Sequence, residues 1–180
     1  MQLTRQEMET LVENHGGDVM KICFVYLGRY GLAEDAFQDT FLKVMEKWDS
    51  FQGTGEARAW ILQIARNTCR DQLRSAWFRN RSGYQDEIGA NDGESDPSDP
   101  HDPQVELESR ETDSYLLKKI IRLPLRYREV LLLKAWFEME NSEIAGMLHI
   151  AEPTVRSRLK RAREKLNTMP GGELHYENRR

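Results

Sequence analysis

The apolar positions of this chain recur at helical spacing almost throughout. In "AEDAFQDTFLKVMEKW", Phe37, Phe41, Val44 and Trp48 fall on one stripe, and Asp35, Gln38, Asp39 and Glu46 fall on the other side. In "RAWILQIARNTCRDQLR", Ile61, Leu62, Ile64, Ala65, Thr68, Cys69 and Leu73 make a broad apolar face, opposed by Gln63, Arg66, Asn67, Arg70 and Arg74. No run shows the β-branched alternation of a strand. The pattern predicts helices over 6–30, 32–47 and 57–77, then over 111–123, 124–137, 142–148 and 153–167.

Two residues break the pattern. Leu42 stands in the middle of the acidic face of its helix. Trp60 stands among the basic residues of its own, about 60° from Gln63 and about 20° from Asn67 at 100° per residue. A leucine ringed by polar groups suits a helix-docking protein surface, although scattered surface hydrophobes are common. An aromatic ring beside an amide and arginines suits unpaired bases. A tryptophan that merely caps the core is the plainer alternative.

The net charge of −4 hides a segregation. Residues 1–81 carry 11 basic and 11 acidic side chains, residues 82–113 carry 1 and 11, and residues 114–180 carry 14 and 8. The segment "SGYQDEIGANDGESDPSDPHDPQVELES" combines that acidity with Asp, Gly, Ser and Pro, so it buries too little apolar area to offset its ordering entropy. The expected architecture is therefore all-α: two small helical domains joined by a disordered acidic linker. The divisions are 1–81, a linker over 82–110, a domain over 111–168 and a tail over 169–180. The linker serves either as a plain tether or as an acidic strand that occupies a basic channel.

The second domain contains a helix-turn-helix in "NSEIAGMLHIAEPTVRSRLKRAREKL". Asn141 or Ser142 can cap its first helix, and Pro153 suits the first position of its second. In that second helix Val155, Leu159, Ala162 and Leu166 form a narrow core stripe. Pro153, Arg156, Ser157, Lys160, Arg161 and Glu164 lie opposite, and six of the ten residues from Arg156 to Lys165 are basic. Inserted in a major groove, Arg156, Ser157, Lys160 and Arg161 suit base edges or phosphates, with Arg158, Arg163 and Lys165 to the sides on phosphate.

Other chemistries find little support. Cys23 and Cys69 have no CxxC or CxxH spacing and suit two buried small hydrophobes. The four histidines show no metal-ligand pairing, there is no Gly-rich phosphate loop, and no nucleophile–base set or carboxylate pair suggests an enzyme. No metal, cofactor or small-molecule substrate is expected. No run approaches the ~18 apolar residues of a membrane span, and the N-terminus lacks a signal core, which points to the cytoplasm.

The three quoted stretches, in this order and with "LPLRYREVLLLKAWFEM" before the turn, resemble a bacterial sigma factor in the compact two-domain form of the extracytoplasmic-function (ECF) group. The resemblance implies promoter-specific transcription initiation. The first domain would dock on core RNA polymerase and melt the minus-ten element, and the second would bind the minus-thirty-five element of double-stranded promoter DNA. By the same resemblance, Asp35, Gln38, Asp39, Leu42 and Glu46 match the polymerase-docking helix. Asn67 matches an amide that contacts the flipped minus-ten base, and Phe51 opens the loop forming that base's pocket. The wheel adds Trp60, Gln63, Arg66, Arg70 and Arg74 to the melted single-stranded DNA face, and leaves open whether Trp60 touches DNA or props the pocket. Members of the group are usually held inactive by an anti-sigma protein, often membrane-bound. Two departures stand out: His149 where the family often has Gly, and Ala151 where it often has Ser. A transcriptional regulator with a dimerising first half is the alternative, though no long heptad seam supports it.

Overall fold

A computed structural model describes residues 3–51, 57–81, 117 and 119–169, with the backbone alone described for 76–81. Residues 1–2, 52–56, the acidic segment 82–110 and the residues beyond Met169 lie outside the described residues, as do 111–116 and 118 of the helix expected over 111–123. Every regular element among the described residues is helical, and the chain divides into two compact units, Met1–Leu107 and Glu108–Arg180.

The first unit packs three helices against one another: α1 (Arg5–Leu27), α2 (Tyr30–Lys47) and α3 (Ala57–Arg81). Thr4 caps α1 in a reciprocal box with Glu7: the Thr4 N–H donates to Glu7 Oε2 at 2.8 Å, and the Glu7 N–H donates to Thr4 Oγ1 at 3.3 Å. The Thr4 N–H, together with the Thr4 hydroxyl that donates to the same Oε2 at 2.7 Å, holds the Glu7 carboxyl below its ordinary pKa. The sequence pattern carries α1 on to Tyr30, but the helix stops at Leu27. Gly28 takes the left-handed conformation (φ 70°) and its N–H donates to Phe24 O at 2.8 Å, which frees the chain to begin α2 at Tyr30.

The core of this unit joins Val19, Ile22 and Val25 of α1 to Ala33, Ala36, Phe41 and Val44 of α2, and to Ile61, Leu62, Ala65 and Cys69 of α3. Cys23 and Cys69 are buried free thiols. The Cys69 thiol is pushed up, first by its hydrogen bond with Cys23 and then by burial, so the two lie side by side in the core. Polar ties stitch the edges: Arg58 Nε meets Asp18 Oδ2 at 2.8 Å, and Lys43 Nζ donates to Thr68 Oγ1 at 3.1 Å.

The second unit contains α4 (Leu125–Ala135), α5 (Asn141–Leu148) and α6 (Glu152–Thr168), preceded by helical residues 119–121. Val130, Leu131, Leu132 and Leu133 of α4, Ile144, Met147 and Leu148 of α5, and Val155, Leu159, Ala162 and Leu166 of α6 share one core. A contiguous apolar run such as "VLLL" is buried on all sides because α4 is wrapped by its neighbours.

Candidate polymerase and nucleic-acid interfaces

The outer face of α2 is acidic and studded with apolar side chains. Asp35, Gln38, Asp39 and Glu46 are all exposed, and among them Leu42 is 57% exposed. The structure adds two residues that the pattern did not single out: Met45 at 52% and Leu32 at 43% exposure. Both were legible in the spacing, since each stands within about 80° of Leu42 on the helical wheel. An amphipathic helix needs one apolar face for its own core, and a second set facing solvent has no structural task. Asp39 also accepts a hydrogen bond from Gln72 Nε2 of α3 at 3.2 Å, so this face adjoins the next.

Three aromatic rings gather where α2 ends and α3 begins. Trp48 opens a 3-10 turn (Trp48–Ser50), and its carbonyl accepts the Phe51 N–H at 2.9 Å. The Trp48 ring lies 5.3 Å from Phe51 and 5.9 Å, edge-on, from Trp60; Phe51 and Trp60 lie 5.2 Å apart. All three are half-buried. Trp60 is thus neither a solvated oddity nor a core residue: one side of its ring leans on Phe51 and Trp48. Trp48 looks from its spacing like one more member of the α2 core stripe. Its partnership with a residue twelve positions later gives no periodic signal.

Along α3, Asn67, Arg70 and Arg74 are exposed and Gln63 is half-buried beside them. Arg66 departs from the expectation. It is only 4% exposed, so it does not belong to an open basic face. On the wheel it stands about 20° from Leu73 and about 40° from Leu62, at the rim of the apolar face. At such a rim the long aliphatic stem of an arginine can be covered by apolar neighbours. Its Nη1 donates to Asn67 Oδ1 at 3.4 Å.

In the second unit, α5, the turn and α6 form the helix-turn-helix. Glu140, rather than Asn141 or Ser142, is the N-cap of α5, and its N–H donates to Glu143 Oε2 at 2.6 Å. His149 closes α5 in the left-handed region (φ 55°, ψ 45°), the conformation a glycine adopts more cheaply. Ala151 is the N-cap of α6 and makes no side-chain cap, while Pro153 is the second helical residue rather than the first. Arg156, Ser157, Lys160 and Arg161 are all exposed along one side of α6, opposite the buried stripe. Arg156 is ion-paired with Glu152 one turn earlier, and Ser157 Oγ donates to Thr154 O at 3.0 Å. Arg158 turns the other way: it is the half-buried partner of Glu129 on α4 at 3.5 Å. Arg163 and Lys165 remain exposed, Lys165 with its ammonium 5.9 Å from the Tyr127 ring.

Among the described residues, no group of three or more His, Cys, Asp or Glu could hold a metal ion. None of the described helices is long and apolar enough to cross a membrane.

The comparisons with known proteins agree with this geometry. Residues 11–79 match the Sigma-70 region 2 family and residues 114–166 match Sigma-70, region 4. The chain is 30% identical over 164 residues to the ECF RNA polymerase sigma factor SigW of Bacillus subtilis, covering 87% of this chain and 84% of that protein. It is 30% identical over 153 residues to SigL of Mycobacterium tuberculosis, covering 84% and 82%. Among solved structures, the sigma factor RpoE, in complex with the anti-sigma factor NepR from Bartonella quintana, has the same fold. That match has a TM-score of 0.66 at 21% identity and covers 90% of this chain and 95% of that one. CnrH, solved with the cytosolic domain of CnrY, matches with a TM-score of 0.63 at 21% identity, over 95% and 92%. With a region 2 and a region 4 in this order, and with such relatives along most of its length, the chain belongs to the ECF RNA polymerase sigma factors.

Proposed function

We propose that this sigma factor directs core RNA polymerase to promoters through three surfaces. Asp35, Gln38, Asp39, Leu42 and Glu46 dock on polymerase, and the exposed Met45 and Leu32 widen that contact. Phe51, Trp60, Gln63, Asn67, Arg70 and Arg74 receive the melted minus-ten strand. Arg156, Ser157, Lys160 and Arg161 read the minus-thirty-five element in the major groove. The domains follow: 1–81 for docking and melting, 82–110 as connection, 111–168 for the upstream element, 169–180 as tail.

The observation that carries this reading is the aromatic trio beside an exposed Asn67. Extruding a base costs a few kcal/mol. A preformed stacking surface returns roughly 1–3 kcal/mol per base, and the amide supplies a hydrogen bond to the base edge. Docking on polymerase holds the duplex in place, so the charge-balanced segment 1–81 does not have to capture DNA by charge alone. Trp60 contributes by propping Phe51, with the outer side of its ring left for stacking.

The chain acts as an initiation factor and not as an enzyme, in the cytoplasm, where polymerase and promoter are. The solved neighbour RpoE, bound to the anti-sigma factor NepR, supports a similar inhibitor for this chain. Run-off transcription with purified core polymerase and a promoter library tests the proposal. Promoter-specific transcripts are expected; operator binding by the chain alone without initiation would instead mark it as an ordinary regulator.

A further inference from the structure

We infer that Arg66 is a positioning residue that sets the polarity of Asn67, so that Asn67 meets its base as a hydrogen-bond donor. The inference rests on the assignment of Asn67 to the extruded minus-ten base and deepens it. A guanidinium carries five N–H donors and no acceptor. Whatever lies against Arg66 Nη1 on the Asn67 carboxamide must therefore be its oxygen, and Oδ1 stands there at 3.4 Å. This settles the amide orientation by chemistry, where the shape of the group would not. Arg66 is in turn held by burial, at 4% exposure, while Asn67 is exposed on the same turn. With its oxygen engaged by Arg66, the carboxamide has its Nδ2 amino group left to meet the base.

The consequence is a selection rule. An outward amino group suits a base edge led by carbonyl oxygens or a bare ring nitrogen. It meets an exocyclic amine donor to donor, which leaves both unpaired in a desolvated pocket. A freely rotating asparagine has no such bias, because it can offer either end. Arg66 thus contributes to base choice without touching the DNA.

The test uses holoenzyme assembled from the full chain and core polymerase, transcribing a promoter library randomised over the minus-ten element. Arg66→Met keeps an unbranched apolar stem to about the depth of Nε and removes the donors. We expect the preference at one position to fall from roughly tenfold to less than about threefold, with total output on the pooled library retained. A merely structural Arg66 would lower transcription from all sequences alike and leave the preference as it was, which overturns the inference. If Arg66→Met does not fold, Asn67→Asp decides: the carboxylate binds the guanidinium more strongly but has no donor, so the preference should be lost or reversed toward amine-bearing bases. An unchanged preference in that variant also overturns it. Asn67→Ala separates the layers. If it changes no base preference, the assignment of Asn67 itself fails; if it does while Arg66→Met does not, only the positioning role fails.

Discussion

The Phe51 ring lies 5.2 Å from the Trp60 ring at 41° between planes, which joins the end of the 3-10 turn to the first turn of α3. A change to either ring alters the surface that the other leans on. Trp60→Ala is therefore expected to reduce promoter opening roughly tenfold or more while polymerase binding is retained. Trp60→Phe, which keeps a ring in place, should recover most of it. Permanganate reactivity of the minus-ten thymines reports the opening directly; equal opening in the alanine variant would remove the trio from the mechanism.

Leu42 is exposed in the middle of an acidic face, so Leu42→Asp should abolish co-purification with core polymerase and leave the melting temperature of the chain within a degree or two. Ile61→Ala, at a position with no exposure, gives the opposite result: a loss of about 2–5 kcal/mol in stability with the docking face intact. Thermal melts and pull-downs on the same two preparations separate the effects. A Leu42→Asp variant that still binds polymerase would move the docking surface elsewhere.

Along α6, Arg156 and Arg163 are both exposed and lie on the same side, about 20° apart on the wheel, but Arg156 stands two turns nearer the N-terminus of the helix, beside Ser157 and one turn before Lys160 and Arg161. Arg156→Ala should cost roughly 1–3 kcal/mol at one base position of the minus-thirty-five element and relax selectivity there. Arg163→Ala should weaken binding to all sequences and lower the salt slope by about 1. Competition binding of holoenzyme across single-base variants, at several salt concentrations, distinguishes the two patterns.

The helix-turn-helix turn holds a histidine in the left-handed region and an alanine at an N-cap. His149→Gly should be stabilising, since left-handed backbone costs an L-residue about 1–2 kcal/mol, offset in part by the greater freedom of glycine when unfolded. Ala151→Ser should add about 1 kcal/mol by capping α6. Denaturant titration of the full chain checks both, and a destabilised His149→Gly protein would show that the imidazole makes a contribution outweighing the backbone relief.

Cys69 titrates above the ordinary thiol range because of its bond with Cys23 and its burial. The folded state thus favours the protonated thiol: this contribution to stability is fully present below the pKa of the unfolded thiol, about 8.5, and is lost progressively as pH rises above it. Iodoacetamide should leave both thiols unmodified at neutral pH in the native protein and label them on unfolding. Rapid labelling of the native chain would contradict the packing.

Much of this was legible from spacing alone, because helix faces depend only on residue order. The core stripe of α6 and its basic opposite face follow directly from a 3.6-residue period, as does the exposure of Leu42. What the period cannot give is contact between elements. Trp48 and Trp60 meet because a 3-10 turn folds α2's end toward α3. Arg66 failed for a different reason: a wheel sorts residues by direction, and at the rim of a face the long stem of an arginine decides burial, not its angle. The N-cap of α5 escaped because Glu140 and Glu143 satisfy each other's backbone in place of the more usual Asn or Ser.

The division into two units, each with its own closed core, has an evolutionary consequence. Substitutions far apart and without shared partners add in free energy, so promoter preference becomes a product of two separately adjustable factors. One half of the address can drift to a new sequence while the other keeps the lineage tied to its old sites. A duplicated copy can then acquire a distinct set of promoters by small steps, none of which requires both halves to change at once.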